Sequence, residues 1–244
     1  MQNKLSAKLF TLLFLLSPIY LLAQNWYGKG VKGSGNVVTE SRSHTNFDRV
    51  HVSSGLDVYF TQSNNYSVEV EADDNLIDII KTEVNGGELR VKVAKGKSIK
   101  RSKKLVVHVS APDLTGIKSS SGADFYSESV ISGDNIIIDV SSGADVKVDL
   151  DYDKLKCEVS SGSAARLKGS ANMAELRSSS GANIRAKELT VQRCKAKASS
   201  GSDVVVRVEK ELIGDASSGG DVIYFGNPAE VDKSESSGGD VTAG

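Results

Sequence analysis

Five aspartates recur at one position of a repeated phrase: Asp124, Asp145, Asp203, Asp221 and Asp240. Each stands two residues after a glycine and just before an apolar residue. Stacked carboxylates suit calcium, a hard cation that takes oxygen ligands. Asp203, Asp221 and Asp240 would be the candidates for such a site. The series is broken at Ala164 and Asn183, and Lys147, Arg166 and Arg185 lie near enough to compensate its charge. Aspartate is also a habitual turn residue that bonds neighbouring backbone amides. An outward turn-capping role, of the Asx kind, is the expectation here.

Other reactive residues point no more firmly to catalysis. Polysaccharide-processing β-helices need clustered acids with a nearby base. The three histidines, His44, His51 and His108, all precede the regular repeats, and His51 and His108 alternate with valines at outward strand positions. The many Ser-Ser-Gly serines are too regular to be nucleophiles, because a catalytic serine is singular and needs a base. No catalytic residue and no cofactor is therefore expected. Trp26, Tyr27, Tyr59, Tyr66 and Tyr126 are the aromatics that could stack on a sugar, although aromatic side chains more often serve packing.

The elements that place these residues follow from the repeat. Ser120-Ser121-Gly122-Ala123-Asp124 recurs around Gly143, Gly162, Gly181, Gly201, Gly219 and Gly238, and an earlier copy contains Gly55. From Gly122 onward the glycines are 21, 19, 19, 20, 18 and 19 residues apart, a period that signals a solenoid. Counting from each glycine, positions −7, −5 and −3 are mostly apolar, as in Ile136, Ile138 and Val140 or Leu155, Cys157 and Val159. So are positions +3 and +5, as in Val146 and Val148 or Ile184 and Ala186, whereas the positions between are mostly polar. That alternation is the period-two signature of strands. No helical spacing lies between the motifs, so a stack of parallel β rungs of about 19 residues is expected over residues 118–244. Glycine would form the corner. The second serine and the residue at +1 are expected to share the inward parity, where only small side chains fit.

Residues 48–110 are β-rich but less regular, with Asn85-Gly86-Gly87 as a hairpin turn and residues 73–80 as a short helical candidate. At the other end, Lys233 and Glu235 occupy inward positions, so the last rung reads as a polar cap, or as an end used for homo-oligomer formation.

Composition bounds the function. The 244 residues carry a net charge of −1, so nothing favours nucleic acid. Residues 1–23 read as a secretory signal peptide: Lys4 and Lys8, then the apolar stretch from Leu9 to Leu16, then Leu21-Leu22-Ala23. Residues 24–244 would be one exported domain, in the periplasm, at the cell surface or outside the cell. After cleavage no apolar run is long enough for a membrane-spanning helix. Cys157 and Cys194 fall two rungs apart, or roughly 10 Å at the usual strand spacing. A disulfide does not reach that far.

Several segments resemble a known family. Residues 33–40 read Gly-Ser-Gly-Asn-Val-Val-Thr-Glu; they precede Phe47-Asp48-Arg49-Val50, Gly55-Leu56-Asp57-Val58 and the run from Val68 to Leu76. Together with the recurrent serine–glycine–aspartate phrase, they resemble the putative auto-transporter adhesin, head GIN domain family of exported Bacteroidetes proteins. The resemblance implies a right-handed parallel β-helix and supplies no catalytic residues. The expected function is non-enzymatic adhesion or binding at the cell envelope, with a surface glycan or an envelope protein as partner. The competing expectations are a polysaccharide-processing β-helix and an envelope structural or assembly protein. The cysteine reading has a direct check: intact mass after alkylation in denaturant without reductant should show alkylated cysteine, and a mass with none would overturn the free-thiol reading.

Overall fold

The computed structural model describes residues 30–244. The signal-peptide expectation, Trp26 and Tyr27 lie outside these residues. Eighteen strands account for most of the described chain. The irregular part contains β1 (Val31–Lys32), β2 (Val37–Ser41), β3 (Arg49–Ser53), β4 (Asp57–Gln62), β5 (Ser67–Asp73), β6 (Ile80–Asn85), β7 (Glu88–Val93), β8 (Ile99–Arg101) and β9 (Leu105–Ala111). The regular part contains β10 (Gly116–Ser120), β11 (Asp124–Ser141), β12 (Asp145–Ser160), β13 (Ala164–Ser179), β14 (Asn183–Ser199), β15 (Asp203–Ser217), β16 (Asp221–Phe225), β17 (Glu230–Ser236) and β18 (Val241–Ala243).

The regular part is a parallel β-solenoid. From β11 to β15 each strand is a whole rung that bends around the core and pairs in parallel with the rung on either side. Asp124, Asp145, Ala164, Asn183, Asp203 and Asp221 stand in one register column, as the repeat requires. The inward positions form a single core in which Val146, Leu176, Ile184 and Val204 have no exposed surface. Cys157 and Cys194 are buried and free, in different inward columns: Cys157 is in register with Leu176, and Cys194 with Ala174. Burial pushes the Cys194 thiol up to about 12 and raises Cys157 as well, so neither ionises near neutral pH.

The corner is sharper than a glycine alone would make it. Each glycine of the repeated phrase has positive φ, and so does the serine before it, from Ser54 to Ser237 at 52° to 70°. Two successive positive φ values are the sign pattern of a type I′ turn. Its closing bond is present where Gly220 N–H donates to Ser217 O at 3.1 Å and Gly239 N–H to Ser236 O at 3.1 Å. The second serine of the phrase is consequently exposed, as at Ser142 and Ser161, and not inward as the parity rule suggested. Two left-handed residues rotate the chain out of strand alternation at that point. The residue at +1 is inward as expected: Ala123, Ala144, Ala182 and Ser202 are fully buried. The corners are also stitched to one another, because Gly122 N–H donates to Ser142 O, Gly143 N–H to Ser161 O and Gly162 N–H to Ser180 O, at 3.1 to 3.2 Å.

Two further bends complete a three-sided rung. At the second corner Gly169 has φ +103°, and a Cβ there would lie 2.0 Å from Leu150 O. Most of the uneven repeat spacing is absorbed near this corner, where the pairing register shifts between Tyr126 and Val130, Arg166 and Lys168, and Ala186 and Thr190; one further shift falls between Val191 and Arg193, at the third corner. At the third corner two consecutive residues face outward, as in Asp153-Lys154 and Asn172-Met173.

The two ends close differently. Parallel pairing continues from β10 to β3 and β7, and from β11 to β4 and β9, after which antiparallel β6, β5 and β2 terminate the stack. The Asn85-Gly86-Gly87 hairpin joins β6 to β7 as expected, and the helical candidate is reduced to one 3-10 turn at Ile77–Ile79. In the last rung Lys233 Nζ donates to Val241 O at 2.7 Å, and Val241 N–H donates to Glu235 Oε1 at 2.8 Å. The two charged side chains thus clasp β18, whose Val241 is buried against Gly214.

These geometries separate two kinds of glycine. Gly143 has φ +70° and open space where a Cβ would sit, so Gly143→Ala is expected to cost about 1–2 kcal/mol, from backbone strain alone. Gly169→Ala adds a collision with the Leu150 carbonyl and is expected to cost clearly more, as read from urea midpoints of the two variants.

Candidate functional site

The three sides of the rung present different chemistry. The first side follows the serine corner and carries the aspartate column. Two of its carboxylates bond to the amide of the next rung: Asp145 N–H donates to Asp124 Oδ1 at 3.0 Å, and Asp240 N–H to Asp221 Oδ1 at 3.3 Å. The local Asx arrangement expected from sequence is replaced because the next rung offers its amide directly below the carboxylate. Asp203, Asp221 and Asp240 stack in successive rungs, but among the described residues no group of three metal-ligating side chains is arranged to hold a metal ion.

The same side carries an aromatic column. Tyr59 stacks on Tyr126 with centroids 5.0 Å apart, and His108 lies 5.8 Å from Tyr59 on the other flank. Parallel registration forces this: ladder neighbours place like side chains face to face. The Tyr59 and Tyr126 faces that sequence reasoning offered to a sugar are turned to one another, and the outer edge of the column is what solvent meets. Tyr66 packs against buried Phe47, at 5.0 Å. Tyr126 donates its hydroxyl to Asp124 Oδ2 at 3.0 Å, and its acidity is suppressed by burial and by that carboxylate. Burial, followed by repulsion from Asp124, holds the Asp57 carboxyl above its ordinary range, partly offset by Lys104.

The second side, between the second and third corners, is short and polar. Asp151, Ser170 and Thr190 form one outward column, and Asp153, Asn172 and Gln192 the next, around a concavity of about 290 Å³. Ser170 Oγ donates to Asp151 Oδ1 at 2.6 Å, and Asn172 Nδ2 to Asp153 Oδ1 at 2.7 Å.

The third side runs from the third corner to the serine corner and is the broadest. Ion pairs brace it: Lys156 with Glu158 at 2.9 Å, Glu175 with Arg177 at 2.5 Å, and Lys197 with Asp215 at 2.7 Å. Burial, followed by the neighbouring Glu158 charge, raises the Asp139 carboxyl. Along the third corner lies a groove of about 470 Å³, with exposed Ile137, Met173 and Ile213 in its wall. Sequence reasoning passed over these three. Their signal was an apolar residue at an outward parity position.

The histidines stay apart from these sides' acid columns or serve them structurally. His44 meets Thr82 Oγ1 at 2.9 Å, and His51 sits 3.9 Å from Glu88 with its pKa lowered by burial. His108 reaches Glu71 at 3.5 Å. A further set of residues has a structural role. Asp73 is 1% exposed and accepts from Gly35 N–H and Lys103 N–H, and a Cβ on Gly33 would overlap its carboxylate. Asp74 accepts from Ser34 Oγ and Asn36 Nδ2. The Gly33-Ser34-Gly35-Asn36 and Asp73-Asp74-Asn75 segments are thus one latch that fixes β2 to β5.

The family model described as "Putative auto-transporter adhesin, head GIN domain" matches residues 46–228. The chain belongs to this family. A putative adhesin from Bacteroides fragilis is similar in structure at 22% identity, with a TM-score of 0.80 over 88% of this chain and 99% of that one. A putative adhesin from Parabacteroides merdae gives 0.70 at 22% identity, again over 88% and 99% of the two chains. A structure from Parabacteroides distasonis described as a putative lipid binding protein gives 0.67 at 20% identity, with the same coverage. No curated protein matches the chain. These likenesses establish the solenoid for the head GIN domain, whose fold is therefore shared by proteins described in different terms. Among the described residues, no helix is long and apolar enough to cross a membrane.

The raised carboxyls give a pH signature. A carboxyl whose pKa is higher when folded binds its proton more tightly in the native state, so its contribution is present in acid and is lost as pH rises through the folded value. Asp57→Asn and Asp139→Asn are each expected to raise the melting temperature at pH 7 by more than at a pH well below the ordinary aspartate range, where the carboxyl is protonated folded and unfolded alike. Equal shifts at both pH values would show that these two carboxyls do not titrate as described.

Proposed function

We propose that the protein is exported and acts, without catalysis, in adhesion or binding at the cell envelope, with a surface glycan as the ligand of its polar side. Membership in the adhesin family supports the binding role. The observation that carries the glycan reading is the polar strip between the second and third corners. Carboxylate, hydroxyl and amide groups of Asp151, Asp153, Ser170, Asn172, Thr190 and Gln192 stand there in two adjacent columns. A polyol matches such a surface because each hydroxyl both donates and accepts. Consecutive rungs present a polar group in each column about every 4.8 Å, which suits a linear chain laid along the solenoid axis. Rigidity helps, since a strip held by an uninterrupted ladder loses little freedom on binding.

Export is checked by cell fractionation, which should recover a mature chain lacking residues 1–23 outside the cytoplasm. For the ligand, the mature protein is applied to a glycan array and then incubated with each bound polysaccharide. Saturable binding without released product is expected, and Asp151→Ala with Asn172→Ala should weaken it at least about tenfold, as two lost hydrogen bonds imply. Released oligosaccharide would overturn the non-enzymatic reading. Binding untouched by the two substitutions would move the site away from this strip.

A further inference from the structure

The broad third side breaks its own parity rule in a patterned way. Outward positions there are charged or polar, yet Ile137, Met173 and Ile213 are 50%, 37% and 37% exposed. Each of the three is two rungs from the next, and all line the same groove. The rungs between them carry Lys154, Arg193 and Lys195, all exposed. Among the described residues none of these cations lies within ion-pair distance of a carboxylate, whereas their neighbours Lys156 and Lys197 are paired. Glu175 and Glu211 also line the groove, in register with Lys195 and Arg193, against the four cations Lys154, Lys156, Arg193 and Lys195. The groove therefore combines an apolar wall with a net positive rim.

From the Ile137 rung to the Ile213 rung is four steps of about 4.8 Å, or about 19 Å. A groove of about 470 Å³ along that length admits a polymethylene chain, which is only about 4 Å wide at carbon contact distance, and its net positive lining suits an anionic headgroup. We infer that this groove binds a single-chain anionic amphiphile, a medium- to long-chain fatty carboxylate taken up as a free monomer. The carboxylate sits at Arg193 and Lys195, which share one rung. The chain runs toward Ile137 over Met173 and the methylene stem of Lys154, whose ammonium group stays in water. That path covers three rungs, about 14 Å, the extended length of about a dozen carbons joined by bonds of about 1.5 Å. The site lies across the third corner from the polar strip, with Lys154, Met173 and Arg193 directly following Asp153, Asn172 and Gln192 in the chain.

The test is isothermal titration of the mature protein with monomeric laurate, below the concentration at which laurate aggregates. One saturable site is expected, with no binding of dodecyltrimethylammonium, which has the same chain and the opposite charge. Met173→Asp should weaken laurate at least about tenfold, from lost apolar burial and added repulsion. Arg193→Glu with Lys195→Glu should weaken it at least as much. Lys147→Glu, on the first side, should leave it unchanged. Arg193, Lys195 and Lys147 are solvent-facing charges and Met173 is exposed, so circular dichroism should confirm an intact fold for each variant. Absence of saturable binding overturns the inference. So does equal binding of the cationic detergent, indifference to the groove substitutions, or association only with anionic vesicles. None of these outcomes bears on glycan binding by the polar strip.

Discussion

The in-register backbone ladder is the constraint on which the rest depends. In a parallel stack every rung must present its amides and carbonyls to the next at the same height. A turn that wandered would leave those groups unpaired. Here the turns are part of the ladder, since each repeat glycine donates its amide to the corner serine carbonyl of the following rung. That is possible only because two consecutive residues adopt positive φ and turn the chain within the plane of the rung. Glycine takes this conformation freely, and serine does so at a strain that neighbouring corners hold in place. The small residue at +1 then fits the narrow core, and the aspartate at +2 is carried to the position where its carboxylate meets the amide below.

Much of this was legible in the sequence. The repeat spacing gave the rung, and alternation gave the inward columns down to Cys157 and Cys194. Other parts were not legible, for definite reasons. Parity counting treats the chain as a continuous strand, so it misplaced the second serine once the left-handed pair interrupted the alternation. Sequence shows that an aspartate follows a glycine but not that another rung's amide is closer than its own. The aromatic column was visible as residue types, yet only the register of β4 with β9 and β11 reveals that Tyr59 and Tyr126 spend their faces on each other. Ile137, Met173 and Ile213 could have been found from sequence as violations of outward polarity, but their union into one groove needs the third corner.

Charge behaves differently at the two ends and along the sides. In the last rung, Lys233 and Glu235 occupy inward positions without an apolar partner, and they are satisfied by the backbone of Val241. At the opposite end no such clasp is needed, because antiparallel strands turn the hydrogen-bonding direction and the Asp73 latch secures them. Along the third side, ion pairs within a rung and between rungs neutralise part of the outward charge. These exposed pairs add little stability. Their effect is to define which cations remain uncompensated.

The second corner has a consequence of another kind. Repeat lengths of 18 to 21 residues coexist in one stack because the extra residues bulge out between Tyr126 and Val130 or between Ala186 and Thr190, leaving both adjoining sides in register. The molecule thus contains natural splice points at this corner, in the β11 and β14 rungs. Foreign peptides grafted there would hang from the ladder like pegs on a rail, clear of the apolar groove at the third corner.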